Sequence, residues 1–240
     1  MTARTVTVGV SVDRLLELAD QARARMSRPP SASAGDWFTI RNADADRAEV
    51  YIYGVIGDDW DGGVTAAGFV DELRAITAPA IDLHINSPGG LVFDGIAIHS
   101  ALLNHAARVD VSIDGVAASA ASFVAMAGDQ VVIEKPAKMM IHDASGLVMG
   151  TAADMRQFAD VLDELSNTIA GIYADRAGGT VATWRDAMTR ETWYSSTAAV
   201  EAGLADRVGN DAGTTNATPK SRREQLIRAR ARRLHGRGVQ

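Results

Sequence analysis

Ala80-Ile81-Asp82-Leu83-His84-Ile85-Asn86-Ser87-Pro88-Gly89-Gly90 is the stretch on which the fold turns. Its first seven residues alternate apolar and polar, the period of a half-buried strand. Its last four contain a proline and two glycines, a composition that predicts a tight turn with dihedrals closed to other residues. Residues 91–107 (LVFDGIAIHSALLNHAA) then carry apolar side chains at helical spacing. A strand, a glycine turn and a helix are therefore written in succession.

The same unit recurs on both sides. Upstream, residues 49–56 (EVYIYGVI) are β-branched and aromatic, the composition of a strand. Residues 65–76 place Ala66, Phe69, Val70 and Leu73 on one helical face, and Pro79 ends that pattern. Downstream, 109–113 reads as a strand broken by Gly115, and 117–127 as a buried helix of small residues. Residues 130–133 and 138–142 read as short strands, and 152–176 as a long helix. Strands alternating with helices predict an α/β domain with a largely parallel sheet.

The ends have a different character. Residues 1–35 hold one helix-like stretch, 12–26, followed by Ser27-Arg28-Pro29-Pro30 and a Ser/Ala/Gly run that reads as a linker. Residues 210–240 contain eight Lys/Arg and two acids, a net charge of +6, which leaves −12 on the rest of the chain. This composition predicts a solvated, flexible tail, with at most a weak role toward nucleic acid. Three zones result: 1–35, 36–209 and 210–240.

Composition excludes several classes. The chain has no cysteine, so disulfides, zinc–thiolate sites, iron–sulfur clusters and a cysteine nucleophile are ruled out. No run reaches the roughly 18 apolar residues of a membrane span, and the start lacks the long apolar region of a secretion signal. A cytoplasmic protein with no membrane partner is expected. No GxxxxGK[ST] phosphate loop occurs, and no cofactor or metal is expected.

Two segments and one histidine could carry chemistry. In Gly115-Val116-Ala117-Ala118-Ser119-Ala120-Ala121-Ser122, a serine stands where a helix of small residues begins. Free N–H groups and partial positive charge at a helix start favour a nearby oxyanion, although an N-cap serine is the ordinary occupant of such a place. The glycines after Asn86 could bring a further N–H to the same oxyanion. Among five histidines, His142 closes Met139-Met140-Ile141-His142 at a strand end, next to a loop.

Taken together, INSPGG, GVAAS, MMIH and the long helix, in this order and at these separations, resemble the ClpP family of serine peptidases over about residues 49–208. The wording is similar to the Clp-like proteases of tailed phages and prophages, several of which are assigned to head maturation. Glu191-Thr192-Trp193-Tyr194-Ser195 and Ala199-Val200-Glu201-Ala202-Gly203-Leu204-Ala205-Asp206 resemble the family's closing block. The resemblance implies a ClpP/crotonase-like fold with repeated β-β-α units and a protruding handle helix.

It implies Ser119 as nucleophile, His142 as general base, and the N–H groups of Gly90 and Ala120 as the oxyanion hole. The third triad position falls on Glu191, where many cellular members carry Asp; Asp143 and Asp186 are its competitors. The resemblance further implies a homo-oligomer of seven-membered rings, single or stacked as a tetradecamer, acting on polypeptides. An AAA+ unfoldase would supply any ATP dependence, whereas a phage-type enzyme would cut capsid or scaffold protein without one. In that family the loop and helix after His142 join two rings, and here Gly146 and Gly150 flank an apolar Leu147-Val148-Met149. The alternatives are a crotonase-like acyl-CoA enzyme, a Ser/Lys peptidase, and a catalytically inactive ring-forming assembly protein.

Overall fold

A computed structural model describes residues 38–42, 46–57 and 65–209. The expected helix over 12–26, its linker and the basic tail over 210–240 lie outside the described residues. No helix among the described residues is long and apolar enough to cross a membrane.

Among the described residues, eight strands form one sheet. β1 (Phe38–Asn42) pairs antiparallel with β2 (Arg47–Ile56). β2, β3 (Ala80–Gly90), β4 (Arg108–Ala118), β5 (Gln130–Ile133) and β8 (Arg207–Val208) then run parallel in that order. The sheet forks at β4. Its first part, Asp110 to Ile113, pairs with β5, while Val116 to Ala118 pair with β6 (Lys138–Ile141). β6 in turn pairs antiparallel with β7 (Thr192–Ser195).

The first three helices follow the expected pattern with tighter bounds, and the long fourth runs one residue further than expected, to Ala177. α1 (Ala66–Ala75) starts at Thr65, whose hydroxyl accepts the Gly68 N–H, an N-cap. It buries Phe69 and Leu73 fully, each worth about 1.5–3 kcal/mol of apolar burial. α2 (Val92–Asn104) packs Gly95 against α3 (Ala120–Ala125): a Cβ on Gly95 would stand 2.7 Å from the Phe123 ring. All six residues of α3 are buried, and four of them are Ala or Ser, as close packing against neighbours requires. α4 (Ala152–Ala177) opens with a Thr151/Asp154 capping box. Its buried residues begin only at Ser166, so its first half lies outside the core. The C-terminal half is anchored where Arg176 donates to Gly128 O (2.7 Å) and pairs with Asp206. α5 (Val181–Thr189) and α6 (Ser196–Glu201) flank β7.

Two expected breaks are absent. The Ser87-Pro88-Gly89-Gly90 stretch is not a turn: β3 continues through it, in register with β2 as far as Ile56 opposite Gly90. Gly115 does not end β4, which runs on to Ala118. In both places long-range pairing outweighs local composition, and register shifts absorb the irregularity.

One face of the central parallel strands is polar, where such sheets usually cover both faces. Tyr51 stacks on His84, whose Nδ1 lies 2.9 Å from Asp114 Oδ2, and Arg47 pairs with Asp82 and Asp110.

Candidate active site

The fork in the sheet builds the site. Because Val116 to Ala118 pair with β6, the ladder continues into Ser119, whose N–H donates to Met140 O at 3.0 Å. That bond places the end of β4 beside the end of β6. There, His142 Nε2 lies 2.6 Å from Ser119 Oγ. The two side chains come from positions 23 residues apart and meet because their strands are neighbours.

Ser119 occupies the corner between β4 and α3 with φ 52° and ψ −124°. A side chain at positive φ outside the left-handed well costs of order 1–3 kcal/mol and persists only when its surroundings enforce it. Here they do. Gly89, at φ 98°, lies so close that a Cβ on it would stand 2.6 Å from Ser119 Cβ and 2.8 Å from Ala120 N. Only glycine fits there, which gives the INSPGG glycine a physical reason. The Ser119 hydroxyl makes no capping bond to α3, so it remains available to the imidazole. Ser119 thus stands at the N-cap position without capping the helix through its side chain.

Ser119 and His142 share a cleft of about 370 Å³, open mouth included, with Gly90, Val92, Phe123, Ile169 and Tyr173 in its walls. Ala120, the first residue of α3, adjoins the nucleophile with its N–H at the start of the helix. The sequence residues Ser119, His142 and Gly90 are therefore brought to one cleft. Glu191 is not brought into contact with His142: its Oε1 accepts the Trp193 indole N–H at 3.2 Å. The competitors are engaged elsewhere. Asp143 takes the Thr189 hydroxyl (3.0 Å) and faces Arg185, and Asp186 pairs with Arg190 on the exposed side of α5.

The match to the Clp protease family model runs over residues 36–212, most of the chain. The chain belongs to the Clp protease family. An ATP-dependent Clp protease proteolytic subunit from Chlorella vulgaris is 31% identical over 131 residues, 54% of this chain and 65% of that relative. The chain thus spans just under two thirds of the length of that curated relative. As a Clp-family fold, the sheet carries the INSPGG and GVAAS segments as strand ends, where the sequence alone suggested turn and helix.

Sequence reasoning did not single out Tyr173, which lines the cleft. Tyr173 follows Ile169 by four positions on α4 and so lies on the same buried face. That spacing was the available signal.

Proposed function

We propose that this chain is a serine endopeptidase, with Ser119 as nucleophile and His142 as general base. The observation that carries the reading is the 2.6 Å contact between Ser119 Oγ and His142 Nε2 at a strained corner. A peptide carbonyl entering the cleft is attacked by Ser119 Oγ while His142 takes the hydroxyl proton. The carbonyl oxygen, now charged, is received by the N–H groups of Gly90 and Ala120. His142 returns the proton to the departing amine, and water then hydrolyses the acyl-enzyme by the same route.

Glu191 completes the triad in this reading. The β6–β7 register supports it: Met140 stands opposite Trp193 and Ile141 opposite Thr192, so the next pair outward is His142 and Glu191. Opposed residues of an antiparallel pair share a face. Rotation of the Glu191 carboxylate from the indole N–H to the imidazole brings the acid into play, and the imidazolium formed during attack attracts it.

The working form is a ring of copies, of sevenfold symmetry and single or stacked, with the cleft opening to its interior. Leu147 and Met149, 81% and 66% exposed beside the half of α4 that leaves its own core, support burial against another copy. The substrate is polypeptide, threaded by an AAA+ unfoldase or, in a phage-type role, capsid or scaffold protein cut without one. Mass-spectrometric mapping of cleavages with and without an unfoldase separates these supplies. The reading as a whole is tested by peptide hydrolysis: Ser119→Ala should abolish turnover with fold and assembly intact. Retained turnover in that variant, with loss in Ser122→Ala alone, refutes the assignment.

A further inference from the structure

Resting on the peptidase reading above, we propose that Tyr173 and Ser122 are positioning residues that aim the Ala120 N–H at the oxyanion from helix α4. Ser122 Oγ lies 2.5 Å from Ser119 O and 2.7 Å from the Tyr173 hydroxyl. A carbonyl oxygen can only accept, so the single Ser122 hydroxyl proton goes to Ser119 O. Ser122 Oγ must then accept from Tyr173, which fixes the direction of the relay: Tyr173 O–H to Ser122 Oγ, Ser122 O–H to Ser119 O. Both side chains are buried, Tyr173 at 1% exposure and Ser122 at 0%. Burial holds the Tyr173 phenol above its ordinary range, so it keeps the proton that it donates.

The target of the relay gives it a catalytic consequence. Ser119 C=O and Ala120 N–H belong to one planar peptide unit and point in opposite directions. Whatever fixes the carbonyl therefore aims the N–H. The Ser119 carbonyl also accepts the Ser122 N–H at 3.0 Å, so two donors from one residue converge on it. Ser119 is at φ 52°, where the peptide would relax if unsupported. The Tyr173 hydroxyl adds the third link and ties this peptide to α4, whose other half leaves the core. A shift of α4 that withdraws the phenol loosens the oxyanion donor without touching Ser119 Oγ or His142.

The test uses the full chain, a fluorogenic peptide and a peptide aldehyde, whose adduct with Ser119 forms an oxyanion. Tyr173→Phe should lower kcat roughly tenfold, the effect of one hydrogen bond, and leave KM within about twofold. Aldehyde affinity should fall by the same factor. In a Ser122→Ala background, which already lacks the relay, Tyr173→Phe should change nothing further. Wild-type kcat and aldehyde affinity in Tyr173→Phe, or effects that add in the double variant, overturn the relay while leaving the peptidase reading intact. Full turnover in Ser119→Ala overturns the peptidase reading itself, and the relay with it. Should Tyr173→Phe fail to fold, Ser122→Ala decides alone: the same paired loss of kcat and aldehyde affinity is expected, and unchanged values overturn the relay.

Discussion

Arg185 Nη1 stands 3.1 Å from Asp143 Oδ1, an ion pair at the residue that follows the candidate base in the chain. The two atoms meet off the hydrogen-bonding axis and neither has a hydrogen-bond partner, so the contact is electrostatic. Arg185 also reaches Asp163 on α4 (2.9 Å), and Thr189 donates to Asp143. The carboxylate next to His142 is therefore an anchor for the loop after β6, already occupied by its cation.

This separates two acids. Asp143→Asn should lower thermal stability by about 1–2 kcal/mol, between the values for exposed and buried pairs, and keep turnover within tenfold. Glu191→Gln should leave stability nearly unchanged and reduce kcat by about 10⁴, the scale of losing a triad acid. Steady-state kinetics paired with melting curves read both. The opposite allocation would give the orienting role to Asp143.

Gly89 faces the nucleophile so closely that it tolerates no side chain. Gly89→Ala sets a methyl group against Ser119 Cβ and demands φ 98° of an alanine. Activity should fall at least a hundredfold, since the corner must shift by a sizeable fraction of an ångström. Gly171→Ala is the matching control, because a Cβ there meets nothing within 4 Å and the site lies inside a helix. It should raise stability by about 0.5–1 kcal/mol. A destabilised Gly171→Ala, or an active Gly89→Ala, contradicts this reading of the glycines.

Much of the fold was legible because the strands and helices announce themselves by local period. Ile81, Leu83 and Ile85 alternate inward, and Phe69 and Leu73 share a helical face. The strand ends were not legible. Gly89, Gly90 and Gly115 look like breakers, yet pairing with β2 and β6 carries the strands through them. Ser119 and His142 could be picked out by their places at element boundaries and by family wording. Their contact depends on the fork at β4, which no local pattern encodes. The Tyr173 relay joins positions 51 residues apart, and nothing near Ser122 in the chain points to it.

His99 should give the fold a pH dependence whose sign follows from its burial. Burial pulls its imidazole down to about 4 from 6.5, with Asp175 partly opposing. In the unfolded chain it titrates near 6.5, so below that pH the unfolded state binds a proton that the folded state refuses until about 4. Stability should fall as pH drops through that window. His99→Gln should flatten the dependence in melting curves between pH 4 and 6.5. Parallel curves for the two proteins would show that His99 carries none of it.

The proposed assembly makes its own demand on Leu147, which is 81% exposed. Leu147→Asp places a charge in the proposed contact between copies and touches little within its own subunit. Light scattering at micromolar concentration should show a smaller particle than the wild type, and peptide turnover should fall with it. An unchanged particle of full activity would remove this segment from the interface.

The most direct measurement of the central claim is covalent. A fluorophosphonate probe reacts with an activated serine hydroxyl, so folded protein treated with it should carry one adduct, mapped by mass spectrometry to Ser119. The Ser119→Ala variant should carry none, and His142→Ala should react at least a hundredfold more slowly, because the proton acceptor 2.6 Å from the hydroxyl is gone. Folded wild-type protein that takes up no label at Ser119, or labels it equally fast without His142, contradicts the account.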